Sequence, residues 1–174
     1  MRADQRRSQI RSILASAQDP ISATTLATRL GVSRQIIVGD IALLRAGGAA
    51  ISATPRGYVL NRSAALPGVR RLAACQHTPE DMGRELNTIV DAGGEVLDVI
   101  VEHPVYGQLT GPLHLRSRAD VEEFLLRVAG AEPLSALTGG IHLHTICAPD
   151  EQVMARVLSA LDDAGFLLPD ETEG

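Results

Sequence analysis

The sequence predicts an α+β chain in two parts: three helices closed by a short hairpin, then a larger segment in which strands and helices alternate as a sandwich. Three observations carry this. Hydrophobic periodicity is helical up to about residue 46 and strand-like in several later segments. The charge changes sign between the two parts, and the polar, turn-forming stretch Asn61–Gly68 lies where it changes. These place domains at 1–62 and 69–170. At 174 residues and 45% hydrophobic content the chain has room for two small cores, which excludes a disordered or collagen-like polymer.

Compartment and partners are bounded in the same way. No apolar run reaches the roughly 18 to 20 residues that span a bilayer. The opening Met1-Arg2-Ala3-Asp4-Gln5-Arg6-Arg7 is unlike a signal peptide, so a cytoplasmic protein without a membrane partner is expected. Cys75 and Cys147 are too few for a disulfide scaffold and are expected as thiols. Residues 1–71 hold eleven Arg against three acids, a net +8, and the remainder holds five Arg against eighteen acids, a net −13. A basic part favours a polyanion through phosphate neutralisation, and an acidic part is repelled by it.

In the first part, Ile10, Ile13, Leu14 and Ala17 recur at helical spacing, and Asp19-Pro20 stops that helix. Ser22 caps a second helix with Leu26, Ala27 and Leu30, Gly31 supplies the turn, and Ser33 caps a third helix to about Ala46. In the third, Ile37, Ile41 and Leu44 lie within about 60° of one another, leaving Gln35, Gly39 and Ala42 opposite. Residues 50–53 and 58–60 read as strands joined by Thr54-Pro55-Arg56-Gly57, which completes a winged helix.

The residues Leu26-Ala27-x-x-Leu30-Gly31-Val32-Ser33-Arg34-Gln35, Asp40-Ile41-x-x-Leu44-Arg45 and Pro55-Arg56-Gly57-Tyr58 resemble the winged helix-turn-helix of bacterial repressors, the kind also joined to biotin ligases. The resemblance implies that the helix from Ser33 enters the major groove, with Arg34 and Gln35 near bases or phosphates and Arg56 on the wing. A homodimer is expected, because two such helices about 34 Å apart match a palindromic operator in double-stranded DNA. Gly39 departs from the pattern, since a larger polar residue is usual there, and a mid-helix Gly costs about 1 kcal/mol relative to Ala. A trihelical module that binds protein is the competing possibility.

The second part reads as strand 69–77, helix 79–91 capped by Thr78, strands 95–102 and 108–115, helix 119–129, strand 141–147, helix 150–164 and a short strand 166–168. This βαββαβ order with an added αβ predicts a ferredoxin-like α/β sandwich. The chain has no phosphate-binding Gly loop, serine nucleophile elbow or CxxC.

Its chemistry lies in histidines and one carboxylate. In Gly140-Ile141-His142-Leu143-His144 the alternation of a strand puts both imidazoles on one face, within reach of one ion. Glu85 projects into the apolar helix face of Met82, Leu86, Ile89 and Val90, where an unpaired carboxylate is costly and needs a cation or donor. Pairing with Arg84 or Arg118, or access to water, is the bland alternative. His77 ends the strand before that helix, which gives three imidazoles and one carboxylate. Such a set suits one divalent transition metal per chain: Zn, Ni, Fe, Co or Mn. His103 shares a strand face with Leu97, Val99 and Val101 and is expected beside the metal, or as a hydrogen-bonded core residue. Cys75 suits a position behind the ligands, and His114 is expected to face solvent.

The motifs Glu85-Leu86-x-x-Ile89-Val90-Asp91-x-Gly93, His103-Pro104-Val105-Tyr106-Gly107, Pro133-Leu134-x-x-Leu137-Thr138-x-Gly140 and His142-x-His144-Thr145-Ile146 resemble the 3H (three-histidine) domain over most of residues 69–168. Behind a winged helix, that resemblance implies a nicotinate-responsive repressor of bacterial NAD precursor uptake and synthesis, not an enzyme. It implies a metal on His77, Glu85, His142 and His144 and nicotinic acid as co-repressor. His103 and Tyr106 are the side chains expected to hydrogen-bond such a small anion. A small metal-dependent hydrolase joined to a DNA module is the alternative, with Glu85 or His103 as base, and a purely structural metal is the third.

Overall fold

The computed structural model describes residues 1–61 and 68–169, so most of the predicted connection Asn61–Gly68 and the last five residues lie outside the described residues. The chain divides into two compact units, Met1–Leu66 and Pro67–Gly174.

The first unit is built from α1 (Ala3–Ser16), α2 (Ala23–Leu30) and α3 (Arg34–Ala46), followed by β1 (Ile51–Thr54) and β2 (Gly57–Leu60). The Ser22 hydroxyl accepts the Thr25 N–H at 3.0 Å to start α2, and left-handed Gly31 ends it. The Ser33 hydroxyl accepts the Ile36 N–H at 3.2 Å and starts α3. Ile10, Leu14, Leu26, Ile37, Ile41 and Ile51 form the core. The wing gains a third element, because Ile21 exchanges both backbone hydrogen bonds with Tyr58, at 3.0 and 2.8 Å. That approach explains Gly57, where a Cβ would stand 2.4 Å from the Ile21 carbonyl carbon.

One acid of this unit is not on its surface. Asp40, on the inward side of α3, is 4% exposed and accepts from Arg6 Nε at 2.5 Å and Nη2 at 3.2 Å, with Arg7 Nη1 at 3.5 Å. Two of the eleven arginines counted toward a polyanion are thereby engaged inside the unit. Arg6 is held still more firmly protonated by this hydrogen bond.

The second unit runs β3 (Val69–Gln76), a single 3-10 turn, α4 (Met82–Asp91), β4 (Glu95–His103), β5 (Gly107–Leu115), α5 (Arg118–Val128), a short 3-10 segment at Leu134–Thr138, β6 (Ile141–Ala148) and α6 (Glu151–Asp163). Its sheet has the order β3-β6-β4-β5, antiparallel throughout. Each crossover therefore joins two strands of like direction separated by one antiparallel strand, the split βαβ arrangement of ferredoxin-like sandwiches. Strand β6 fills the gap between β3 and β4. The strands at the margins suit them: β3 opens with exposed Arg70, Arg71 and Leu72, and β5 carries Pro112. Helix α4 packs between α5 and α6.

Three details differ from the sequence expectations. Residues 166–168 do not form a full strand; after the turn at Gly165 they dock along β3 through one bridge, Leu167 to Cys75, with the Gln76 N–H donating to Phe166 O at 3.0 Å and the Leu168 N–H to Ala74 O at 2.9 Å. Thr78 makes no side-chain cap, and the 3-10 turn Pro79–Asp81 leads into α4. His114 is left-handed, with φ 54°, at a bulge where β5 gains a residue on β4, and it lies 3.8 Å from Glu95 in place of facing solvent freely.

The core beneath the helices includes Leu86, Ile89, Val96, Leu115, Ile146 and Leu161. Ile146 is fully buried at the centre of the sheet. Ile146→Ala is expected to cost about 2–5 kcal/mol of unfolding free energy, readable by urea titration.

Candidate metal centre and nucleic-acid interface

Strand β6 alternates exposed or half-buried residues with buried His142, His144, Ile146 and Ala148. Both imidazoles therefore point from the central sheet toward α4, directly across from Cys75 and Ala73 of β3. Glu85, one turn into α4, is 1% exposed and points down between them. His77 arrives from the end of β3 with its side chain 4% exposed. The alternative for Glu85 is overturned, since Arg118 pairs with Asp91 at 2.5 Å and Arg84 lies over the Phe166 ring at 4.9 Å.

The four residues meet at one point. Glu85 faces His142 Nε2 at 3.0 and 3.2 Å, and the Nε2 atoms of His144 and His77 touch its two carboxylate oxygens. Ring centroids are 4.8 Å apart for His77–His142 and for His142–His144. Burial opposes ionisation of Glu85, and the hydrogen bonds from His142, His144 and His77 outweigh it, holding the carboxyl well below its ordinary range. Burial pulls His77 down, whereas Glu85 and the Thr78 carbonyl leave it raised.

The opposite side of each ring decides what the cluster can do. His77 Nδ1 donates to Thr78 O at 2.7 Å, His142 Nδ1 to Gly140 O at 2.8 Å and His144 Nδ1 to Asp98 O at 2.7 Å. A carbonyl only accepts, so each Nδ1 carries a proton, and in its neutral form each ring turns an Nε2 lone pair inward. Hydrogen bonds from Nε2 to Glu85 would then require imidazolium rings, whereas neutral rings present three lone pairs to the carboxylate. His77 Nε2 is buried with no aligned hydrogen-bond partner, although it lies against Glu85. Three imidazolium ions would leave two uncompensated charges in a buried site, whereas a divalent cation satisfies every lone pair with neutral rings. The donor set thus fits an N/O-ligated divalent ion.

Cys75 also approaches. Its thiol, Glu85 and His142 offer ligand atoms that lie within 4.8 Å of one another, a group able to hold a metal ion. Burial, then the Glu85 charge, pushes the thiol up to about 12, and its hydrogen points weakly to Ala73 O at 4.0 Å.

Residues 70–170 match the 3H domain family, and residues 6–59 match an HTH domain. The chain belongs to the 3H-domain family. It is 49% identical over 158 residues to a protein of Thermotoga maritima named "Probable transcription repressor NiaR", covering 90% of this chain and 89% of that one. It is also 43% identical over 169 residues to the "Transcription repressor NadR" of Bacillus subtilis, covering 95% and 94%. This 3H-domain protein is accordingly a DNA-binding transcription repressor, a regulator and not an enzyme.

In the 3H domain, His103 and Tyr106 sit at the turn between β4 and β5. Their rings are 5.0 Å apart, and Tyr106 is 76% exposed. His103 Nδ1 accepts the N–H of Val105 and of Tyr106, each at 3.1 Å, which leaves Nε2 as the ring's N–H donor. Among the described residues, no hydrogen bond, ion pair or ring contact joins this turn to the Glu85 cluster. In the HTH domain, Arg34 and Gln35 are exposed on the first turn of α3, Ser33 is engaged as its cap, and Arg56 lies in the turn of the wing. No helix among the described residues is long and apolar enough to cross a membrane.

Three contributors escaped the sequence reading. Thr78, Asp98 and Gly140 act through backbone carbonyls, which no side-chain pattern announces. Asp98 alone left a trace, as the single acid inside Val96-Leu97-Asp98-Val99-Ile100; its carboxylate accepts the Thr145 N–H at 2.9 Å.

Proposed function

We propose that this repressor holds one divalent transition metal on His77, Glu85, His142 and His144, and that nicotinic acid or a similar small anion binds there as co-repressor. The inward convergence of three Nε2 lone pairs on one buried carboxylate carries this reading. When bound, the metal supplies a cationic Lewis acid in a domain of strongly negative net charge, which makes an anionic ligand electrostatically acceptable. The chain's own residues do the rest. Backbone carbonyls fix the tautomer of each ring, α4 and the sheet exclude water, and His103 Nε2–H with Tyr106 provides donors for a carboxylate. The names of the two relatives and the 3H resemblance support control of NAD precursor uptake or synthesis. The basic HTH domain supports binding of duplex DNA, and two copies of it in a homodimer would match a palindromic operator.

The test is calorimetric titration of nicotinate into Zn-loaded protein with and without operator duplex. By linkage, operator and nicotinate must tighten each other by the same factor, expected in the range of about 5- to 150-fold. No heat at millimolar nicotinate, or an affinity indifferent to operator, would overturn the co-repressor assignment. Among the donors present, nothing favours a hydrolase over this reading.

A further inference from the structure

We infer that the outer face of α3 reads thymine C5-methyl groups in the operator, with Ile36 and Leu43 as the contacts and Gly39 as the point where helix and base edges come closest. The inference rests on the reading of the HTH domain as the DNA-binding part and concerns what that part recognises. At about 100° per residue, Ile36, Gly39 and Leu43 form one stripe, and Gln35 and Ala42 lie beside it. Ile36 is 42% exposed and Leu43 59%, on a helix whose opposite side buries Ile37 and Ile41. A Cβ built on Gly39 would meet nothing within 4 Å, so no packing inside the domain requires glycine there. Its φ is not left-handed either, and conformation does not require it.

A mid-helix glycine that neither packing nor backbone geometry explains makes sense where another surface must approach the helix. The occupant is indicated by charge: Arg34 opens α3 and Arg45 lies in its last turn, both exposed, and the one acid of α3, Asp40, is turned inward onto Arg6, so the exposed side of the helix carries no negative group. The stripe offers no hydrogen bond to a base edge, and Gln35 is the one amide on the outer face. Thymine is the base that presents an apolar group in the major groove, and the amide of Gln35 suits the adenine beside it. Two separated side chains are also too small a patch for a protein interface of ordinary size.

The experiment selects tight duplexes from a random pool with the full chain, in the presence of zinc and nicotinate, then resynthesises the best duplex with deoxyuridine in place of thymidine at single positions. Loss of a contacted methyl is expected to lower affinity about fourfold. In Ile36→Ala, one of those positions is expected to become indifferent to the change. Gly39→Ala is expected to raise the unfolding temperature by a few degrees while lowering the ratio of selected to random affinity on the order of tenfold. If every uracil duplex binds as tightly as its thymine parent, the inference is wrong. If no duplex is retained at any salt, the DNA reading itself fails and takes the inference with it.

Discussion

Exchanging His142 and His144 together for alanine is expected to reduce bound metal from one ion per chain to a trace, as measured by elemental analysis after dialysis. Mutation of an outer partner alone typically costs about 10- to 100-fold in metal affinity, and removal of two ligands exceeds that. The far-ultraviolet spectrum should persist, because Leu86, Ile89, Val96 and Ile146 hold the sheet to α4 independently of the rings. Undiminished metal in the double variant would sink the ligand assignment. Occupancy should also depend on pH in a defined direction. Metal requires neutral imidazoles, and in the metal-free protein Glu85 leaves His77 raised above its ordinary value. Protons therefore compete from the high side of the usual imidazole range near 6.5, and the ion is lost as pH falls through it.

The second large effect is expected from a glycine that carries no chemistry. Gly140 has φ 90°, and a Cβ there would stand 2.4 Å from the His77 carbonyl oxygen, a backbone atom that cannot swing away. Gly140 O also receives the His142 Nδ1 proton. Gly140→Ala is thus expected to destabilise the second unit by about 3 kcal/mol or more, combining backbone strain with the steric shift, and to weaken metal binding as well. Its neighbour supplies the control. Gly139 is also left-handed, with φ 63°, but a Cβ there meets nothing within 4 Å. Gly139→Ala should cost only about 1–2 kcal/mol and leave metal binding intact. Equal losses in the two variants, followed by thermal unfolding and elemental analysis, would show that the contact with His77 is unimportant.

The sequence reached the cluster because its members obey short-range rules. His142 and His144 alternate on one strand, Glu85 interrupts the apolar face of one helix, and His77 ends the strand beside it. The element order was likewise legible from periodicity and turns. What escaped depends on pairing between distant segments. The bulge at His114 and the release of the Asp98 carbonyl to His144 go with register shifts along β4. Asp40 was counted as surface charge because its partner lies 34 residues away on α1. The site residues could be named from the sequence; the direction of each ring nitrogen required the fold.

The clasp between Arg6 and Asp40 ties electrostatics to completeness of folding. Asp40 belongs to the helix proposed to meet DNA, and its negative charge is hidden only while α1 is docked and Ile10 and Leu14 are seated. A chain with α1 detached would carry an unpaired carboxylate on the inward side of α3 and lose Arg6 and Arg7 from around it. Attraction to phosphate is then set by the finished domain as well as by the arginine-rich sequence, so incompletely folded chains are handicapped in competing for the operator.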